Sequence, residues 1–293
     1  MKEIMAEYEK YLLGEKLSEN TRASYIRDLD AFLLYIKENR VKSLLTVKRI
    51  TVDAYIDSLK SVGRANSTIS RTTAALRKFY QYLLVKEYIK VNPVLGVEVP
   101  RVTKKIPEAL STREIVKLLN QPKATDLKGI RDKAMLELVY ATGMKVSELI
   151  GLKVRDIDIP GGMVNCNTGK NERYIPIGNE AADALDKYLK TARPYMVRDS
   201  KVKNLFVNYS GTPLTRQGFW KILRGYAESA GIKAEINAQT LRNSFAVHLL
   251  QNGADINAVS EMLGHNDVVT TRVYNQVLRS NIKKIYKKAH PRA

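Results

Sequence analysis

The sequence predicts a mainly α-helical chain in two parts: a helical N-terminal unit, and a second unit that adds a small antiparallel sheet to its helices. Three observations predict this. Apolar residues recur at helical spacing from Tyr25 to Leu83. A basic, proline-punctuated stretch without periodicity then interrupts the pattern, carrying Pro100, Arg101, Lys104, Lys105 and Pro107. Beyond it, helical patterns resume around one strand–turn–strand signal at Met163–Asn167 and Arg173–Ile177. The expected boundaries are residues 1–96 for the first unit, 97–108 for a linker and 109–293 for the second unit.

In the first unit, Ser18 and Asn20 are cap candidates for a helix over Thr21–Asn39, with Tyr25, Leu29, Phe32, Leu33 and Ile36 on one face. A second helix opens at Thr51 and turns Tyr55, Ile56 and Leu59 inward. A third opens at Ser67; Ile69, Leu76, Phe79, Tyr80 and Leu83 pack, while Arg71, Arg77 and Lys78 stay polar, positioned either to contact phosphates or simply to be solvated. Val91-Asn92-Pro93 ends the helical pattern, because the residue before proline is pushed out of the α region. In the second unit, the Ser111-Thr112-Arg113-Glu114 capping box opens the first helix. A helix over Gly129–Thr142 ends at Gly143. The two strands are joined through Thr168-Gly169-Lys170-Asn171, and helices follow around Glu180–Ala192, Arg216–Ser229, Leu241–Gln251 and Asp255–Leu263, the last ones beginning near Asp267 and Asn281.

Composition narrows the function. Hydrophobic residues make up 44%, as in an ordinary globular protein, while 49 Lys+Arg against 30 Asp+Glu give a formal charge of +19. Such an excess self-repels unless a polyanion neutralises it, which makes nucleic acid the leading partner over a merely solvated basic surface or an anionic membrane. The single cysteine, Cys166, leaves no internal disulfide framework. Three histidines without paired spacing argue against a catalytic zinc, and the missing GxxxxGK[ST] loop argues against ATP-driven chemistry, so no cofactor is expected. The acidic start, with Glu3, Glu7 and Glu9, does not read as a signal peptide, and no apolar run approaches a membrane span. A cytoplasmic protein without a membrane partner is expected.

Three stretches carry a further pattern. Tyr140-Ala141-Thr142-Gly143-Met144-Lys145-Val146-Ser147-Glu148-Leu149 comes first, then Leu241-Arg242-Asn243-Ser244-Phe245-Ala246-Val247-His248-Leu249-Leu250, then Leu263-Gly264-His265 followed by Tyr274. In order and spacing these resemble the first-arginine box, the second-arginine box and the histidine–nucleophile segment of the tyrosine recombinases, the phage integrase family. Leu17 to Tyr35 resembles the family's DNA-clamping domain, and His290-Pro291-Arg292-Ala293 resembles the tail of Xer-type members. The resemblance implies a SAM-like core-binding domain followed by a recombinase catalytic domain. It also implies binding to double-stranded DNA, with assembly on it as a homo-oligomer or a hetero-oligomer with a related recombinase. The tail from Asn281 onward would then reach a neighbouring protomer.

It further implies that Tyr274 attacks a phosphodiester to form a 3′-phosphotyrosyl link and release a 5′-hydroxyl. Arg242 and Lys145 would bind the phosphate, His265 and Gln239 would donate hydrogen bonds, and Lys170 would protonate the leaving oxygen. Glu148 would orient the pocket behind them, with helix capping as its ordinary alternative. Arg71, Arg77, Lys78, Arg101, Lys104 and Lys105 are the candidate DNA contacts. His248, among apolar neighbours, reads as a core histidine. Four positions depart from the family pattern: Lys145 stands for its first arginine, Gln239 for a histidine, Asn243 for a frequent histidine, and Thr168 for the hairpin lysine, with Lys170 shifted by two. These departures leave a second reading open, a paralogue that binds DNA for regulation or architecture without cutting it.

Overall fold

The computed structural model describes residues 2–100, 108–167 and 172–264. The chain divides into two compact units, residues 1–104 and 105–293. It is mainly helical, with one three-stranded antiparallel sheet among the described residues.

The described part of the first unit contains α1 (Lys2–Gly14), α2 (Glu19–Glu38), α3 (Arg49–Ser61) and α4 (Asn66–Val85). The Oγ of Ser18 accepts the Thr21 N–H at 3.1 Å, so α2 begins two residues before Thr21 and takes Asn20 inside it. Leu29, Phe32 and Ile36 are buried as the spacing requires, whereas Tyr25 and Leu33 are half-buried. Helix α1 is not anticipated by the sequence pattern. It forms because Tyr8 and Leu12, one turn apart, are buried against α4 residues; the Tyr8 ring meets Phe79 edge-on at 4.9 Å and Tyr82 at 5.3 Å. Tyr80 donates to the Leu44 carbonyl at 3.0 Å and ties α4 to the segment before α3. Of the polar α4 residues, Arg71 pairs with Asp28 at 3.1 Å and Lys78 with Glu15 at 3.1 Å, while Arg77 is exposed.

The second unit opens with α5 (Thr112–Leu119), whose capping box forms in both directions between Ser111 and Glu114. Next come α6 (Leu127–Thr142) and α7 (Val146–Gly151). Helix α6 starts two residues before Gly129 because the Asp126 carboxylate accepts the Gly129 N–H at 2.6 Å. It is buried on almost every face and packs against two later helices, α8 (Asn179–Thr191) and α11 (Ala238–Gln251). Between α7 and α8 lie β1 (Ile157–Asp158), β2 (Met163–Asn167) and β3 (Glu172–Pro176), in the order β1-β2-β3. The β2–β3 register runs from Met163↔Pro176 to Asn167↔Glu172, which places β3 one residue earlier than the expected Arg173–Ile177. Strand β1 is too short to leave a sequence signal.

Three more helices complete the described residues: α9 (Arg193–Met196), α10 (Arg216–Ser229) and α12 (Ile256–Leu263). Helix α11 starts at Ala238 rather than Leu241 because Asn237 caps it, accepting the Thr240 N–H at 3.0 Å. No helix among the described residues is long and apolar enough to cross a membrane.

Candidate active site

Helix α6 ends at Gly143, whose left-handed φ of 58° turns the chain sharply toward α7. The turn is sterically closed, since a Cβ on Gly143 would overlap the Phe245 ring. Gly143→Ala is therefore expected to destabilise the protein by about 2–4 kcal/mol, combining left-handed strain with overpacking, as a chemical-denaturation midpoint would measure. A midpoint within experimental error of wild type would contradict this account of the turn.

Past this turn, Lys145 sits at the start of α7 with an exposed side chain that enters no hydrogen bond or ion pair among the described residues. Its backbone N–H is held by Glu148 Oε2 at 2.8 Å. Arg242, one turn into α11, is only 3% exposed. Its Nη1 donates to the Gly143 carbonyl at 2.7 Å and its Nη2 to the Leu263 carbonyl at 2.5 Å. One guanidinium thus joins the turn before Lys145 to the end of α12, and Gly264 closes that helix with a φ of 63°.

Glu148 is buried; it caps α7 through the Lys145 N–H and pairs with Arg173. Arg173 Nη1 reaches its Oε1 at 3.1 Å and Nη2 reaches Oε2 at 2.8 Å. Burial alone would push the Glu148 carboxyl up, but the Arg173 fork, the Lys145 N–H and the two cations outweigh it and hold the carboxyl below its usual range. Sequence reasoning missed Arg173. The available signal was its phase: on β3, Arg173 shares the inward side with buried Ile175, an unusual place for an unpaired cation.

Gln239 is exposed on the first turn of α11 and donates through Nε2 to Asn243 Oδ1 at 2.9 Å, and Asn243 in turn donates to the Glu108 carbonyl at 3.1 Å. The two amides that replace imidazoles thus bond to each other at i,i+4. Ser244 accepts the Leu110 N–H at 2.9 Å, and His248 bonds the Leu110 carbonyl through Nε2 and the Tyr140 hydroxyl through Nδ1, each at 2.9 Å. His248 is a buried packing residue whose pKa is pushed down by that burial. The structure thus brings Lys145, Glu148, Arg242 and Gln239 to adjoining elements of one unit. Lys170, His265 and Tyr274 lie outside the described residues, as do Thr168, Arg101, Lys104, Lys105, His290 and the tail from Asn281. Among the described residues no group of three or more His, Cys, Asp or Glu side chains could hold a metal ion.

Residues 108–281 match the phage integrase family, and residues 5–87 match its N-terminal SAM-like domain. The chain belongs to the phage integrase family. It is 44% identical over 279 residues to tyrosine recombinase XerD of Halalkalibacterium halodurans, covering 94% of this chain and 93% of that protein. It is 40% identical over 295 residues to tyrosine recombinase XerD of Staphylococcus haemolyticus, covering 100% of both. Among solved structures, the XerH site-specific recombinase bound to a palindromic difH substrate aligns with a TM-score of 0.74 at 22% identity, over 90% of this chain and 78% of that one. A lambda integrase dimer bound to a core site aligns with a TM-score of 0.71 at 16% identity, over 94% of each chain. These two structures share the fold of this chain.

Proposed function

We propose that this chain is a site-specific recombinase of duplex DNA, cutting and rejoining strands through a 3′-phosphotyrosyl link made by Tyr274. The observation that carries the reading is the buried Arg242, held between the Gly143 and Leu263 carbonyls where the three family boxes meet. A guanidinium fixed in that way is a permanent charge at a defined point, suited to the negative charge that develops on a phosphodiester under attack. Keeping the bond energy in the protein–DNA link lets the strand be rejoined without ATP or metal. Lys145 adds a second charge, but as a point donor rather than a fork. Gln239 can turn a hydrogen bond to the phosphate, His265 supplies another, and Lys170 protonates the leaving 5′-oxygen. Arg71, Arg77, Lys78 and the linker cations Arg101, Lys104 and Lys105 grip the backbone; Arg71 and Lys78 exchange their carboxylate partners for phosphate. The protein works in the cytoplasm, as a homo-oligomer or with a related recombinase, two protomers to a site and four at synapsis.

The test begins by selecting bound fragments from genomic DNA and converting the selected site to a nicked duplex that traps the cleaved state. Wild type is expected to give a protein–DNA band that survives denaturant. Lys145→Arg, which restores the fork, is expected to form it about tenfold faster or more. Affinity for the same duplex is expected to fall by about 10³ or more between roughly 50 and 200 mM salt, since many phosphate contacts release counterions. Tight, site-specific binding with no band from either protein would overturn the cleavage reading and leave a DNA-binding paralogue. Salt-insensitive binding would overturn the phosphate grip itself.

A further inference from the structure

We infer that Arg173 is a positioning residue of this site, bracing the start of α7, where Lys145 sits, against the last turn of α12. The inference rests on the functional reading above for what the brace serves, but its geometry stands independently. The Arg173 side chain is 10% exposed, and its guanidinium addresses two separate elements. Nη1 and Nη2 take both oxygens of Glu148 at 3.1 and 2.8 Å, and Nε takes the Met262 carbonyl of α12 at 2.9 Å. Glu148 Oε2 simultaneously accepts the Lys145 N–H at 2.8 Å. A continuous chain of hydrogen bonds therefore runs from the Lys145 backbone through Glu148 and Arg173 to the last turn of α12.

Arg242 lies beside this brace and makes a second one. It joins Gly143, two residues before Lys145, to Leu263, one residue after Met262. Two arginines from different elements thus fix two consecutive carbonyls of α12 to the two sides of the same turn. The charge of Arg173 is matched by Glu148 in a bidentate pair, so what Arg173 contributes is placement. The packing is close: a Cβ added at Gly264 would come within 2.8 Å of Arg173 Nη1, so the guanidinium lies directly against the turn.

Placement matters more here than in a site with two forks. Lys145 presents a single ammonium on a flexible stem, so the position of its backbone decides whether the charge reaches the phosphate. A displacement of about 1 Å at such a group costs about 100-fold in rate.

The experiment uses the full chain with Arg173→Lys, which keeps the charge beside Glu148 but cannot hold the carboxylate and the Met262 carbonyl together. Arg173→Gln with Glu148→Gln is the second variant; it removes the buried carboxylate along with its partner, so no unpaired charge threatens folding. The single-turnover rate of covalent-band formation on saturating nicked duplex, its Kd, and amide exchange over residues 143–149 and 262–264 are measured for each. The expected result is a rate lower by about 100-fold, a Kd within about threefold, and exchange faster by about tenfold in both segments while α6 keeps its protection. Unchanged rate, or a lower rate accompanied by a higher Kd and a loss of global protection, would reduce Arg173 to an ordinary stabilising ion pair. If wild type forms no covalent band, the cleavage reading fails separately, and exchange alone decides the brace: unchanged protection of the two segments in Arg173→Lys overturns it.

Discussion

Tyr274→Phe is expected to abolish the denaturant-resistant protein–DNA band while leaving duplex affinity within about twofold. The substitution removes one phenolic oxygen and keeps the ring, so binding through backbone phosphates is untouched and only the attacking atom is lost. The chain has 16 tyrosines, and the physical state of four others in the second unit argues against each as the nucleophile. Tyr140 lies in the first-arginine box, but its hydroxyl is tied to His248 and burial raises its pKa, which opposes the phenolate a nucleophile needs. Tyr188 is buried, donates to the Leu205 carbonyl at 3.0 Å, and is pushed up to about 12. Tyr226 is raised by burial and by the Asp132 carboxylate it donates to. Tyr174 is 61% exposed on β3, but successive strand residues face opposite sides, so it is turned away from Arg173 and bonds Glu172 instead. A band that persists in Tyr274→Phe would require a nucleophile from outside this reasoning. Loss of the band together with loss of binding would mean the hydroxyl supports the fold rather than the chemistry.

How legible this protein was depends on whether a feature is local in sequence. Helix α10 can be read residue for residue as Arg216–Ser229, because its apolar stripe of Phe219, Leu223 and Ala227 follows Thr215, which caps it by accepting the Gly218 N–H. The hairpin strands are legible for the same reason: Val164, Cys166 and Ile175 alternate with polar residues. Helix α1 was not legible, because Tyr8 and Leu12 become a buried face only through α4 residues some seventy positions later. Arg173 was missed on similar grounds. Its partner Glu148 is 25 residues away, and nothing local says that the two meet. The Gln239–Asn243 bond is local, one helical turn apart, and its spacing alone allows the pair. The boxes single out Lys145, Glu148 and Arg242, and the fold adds how each is held.

Arg242→Lys is expected to lower the rate of covalent-band formation by about 10²–10³ and to destabilise the chain by about 2–3 kcal/mol. Both effects come from losing the fork rather than the charge. Two carbonyls, Gly143 at 2.7 Å and Leu263 at 2.5 Å, take donors from opposite ends of one planar guanidinium. A lysine ammonium cannot span them, so one buried carbonyl loses its partner and the turn before Lys145 is no longer tied to α12 through this residue. Single-turnover kinetics on the nicked duplex would measure the first effect and thermal unfolding the second, as a fall of roughly 4–12 °C. Retention of more than a tenth of the wild-type rate would mean that the phosphate charge is carried elsewhere. The family resemblance places the same chemical exchange, arginine to lysine, at position 145, and the two environments explain why the chain can carry it there. Lys145 is exposed, holds its place through a backbone N–H, and leaves no buried acceptor behind; Arg242 is 3% exposed and is itself the link between two turns. Lysine at 145 therefore leaves the architecture intact, whereas lysine at 242 would break a link between two turns.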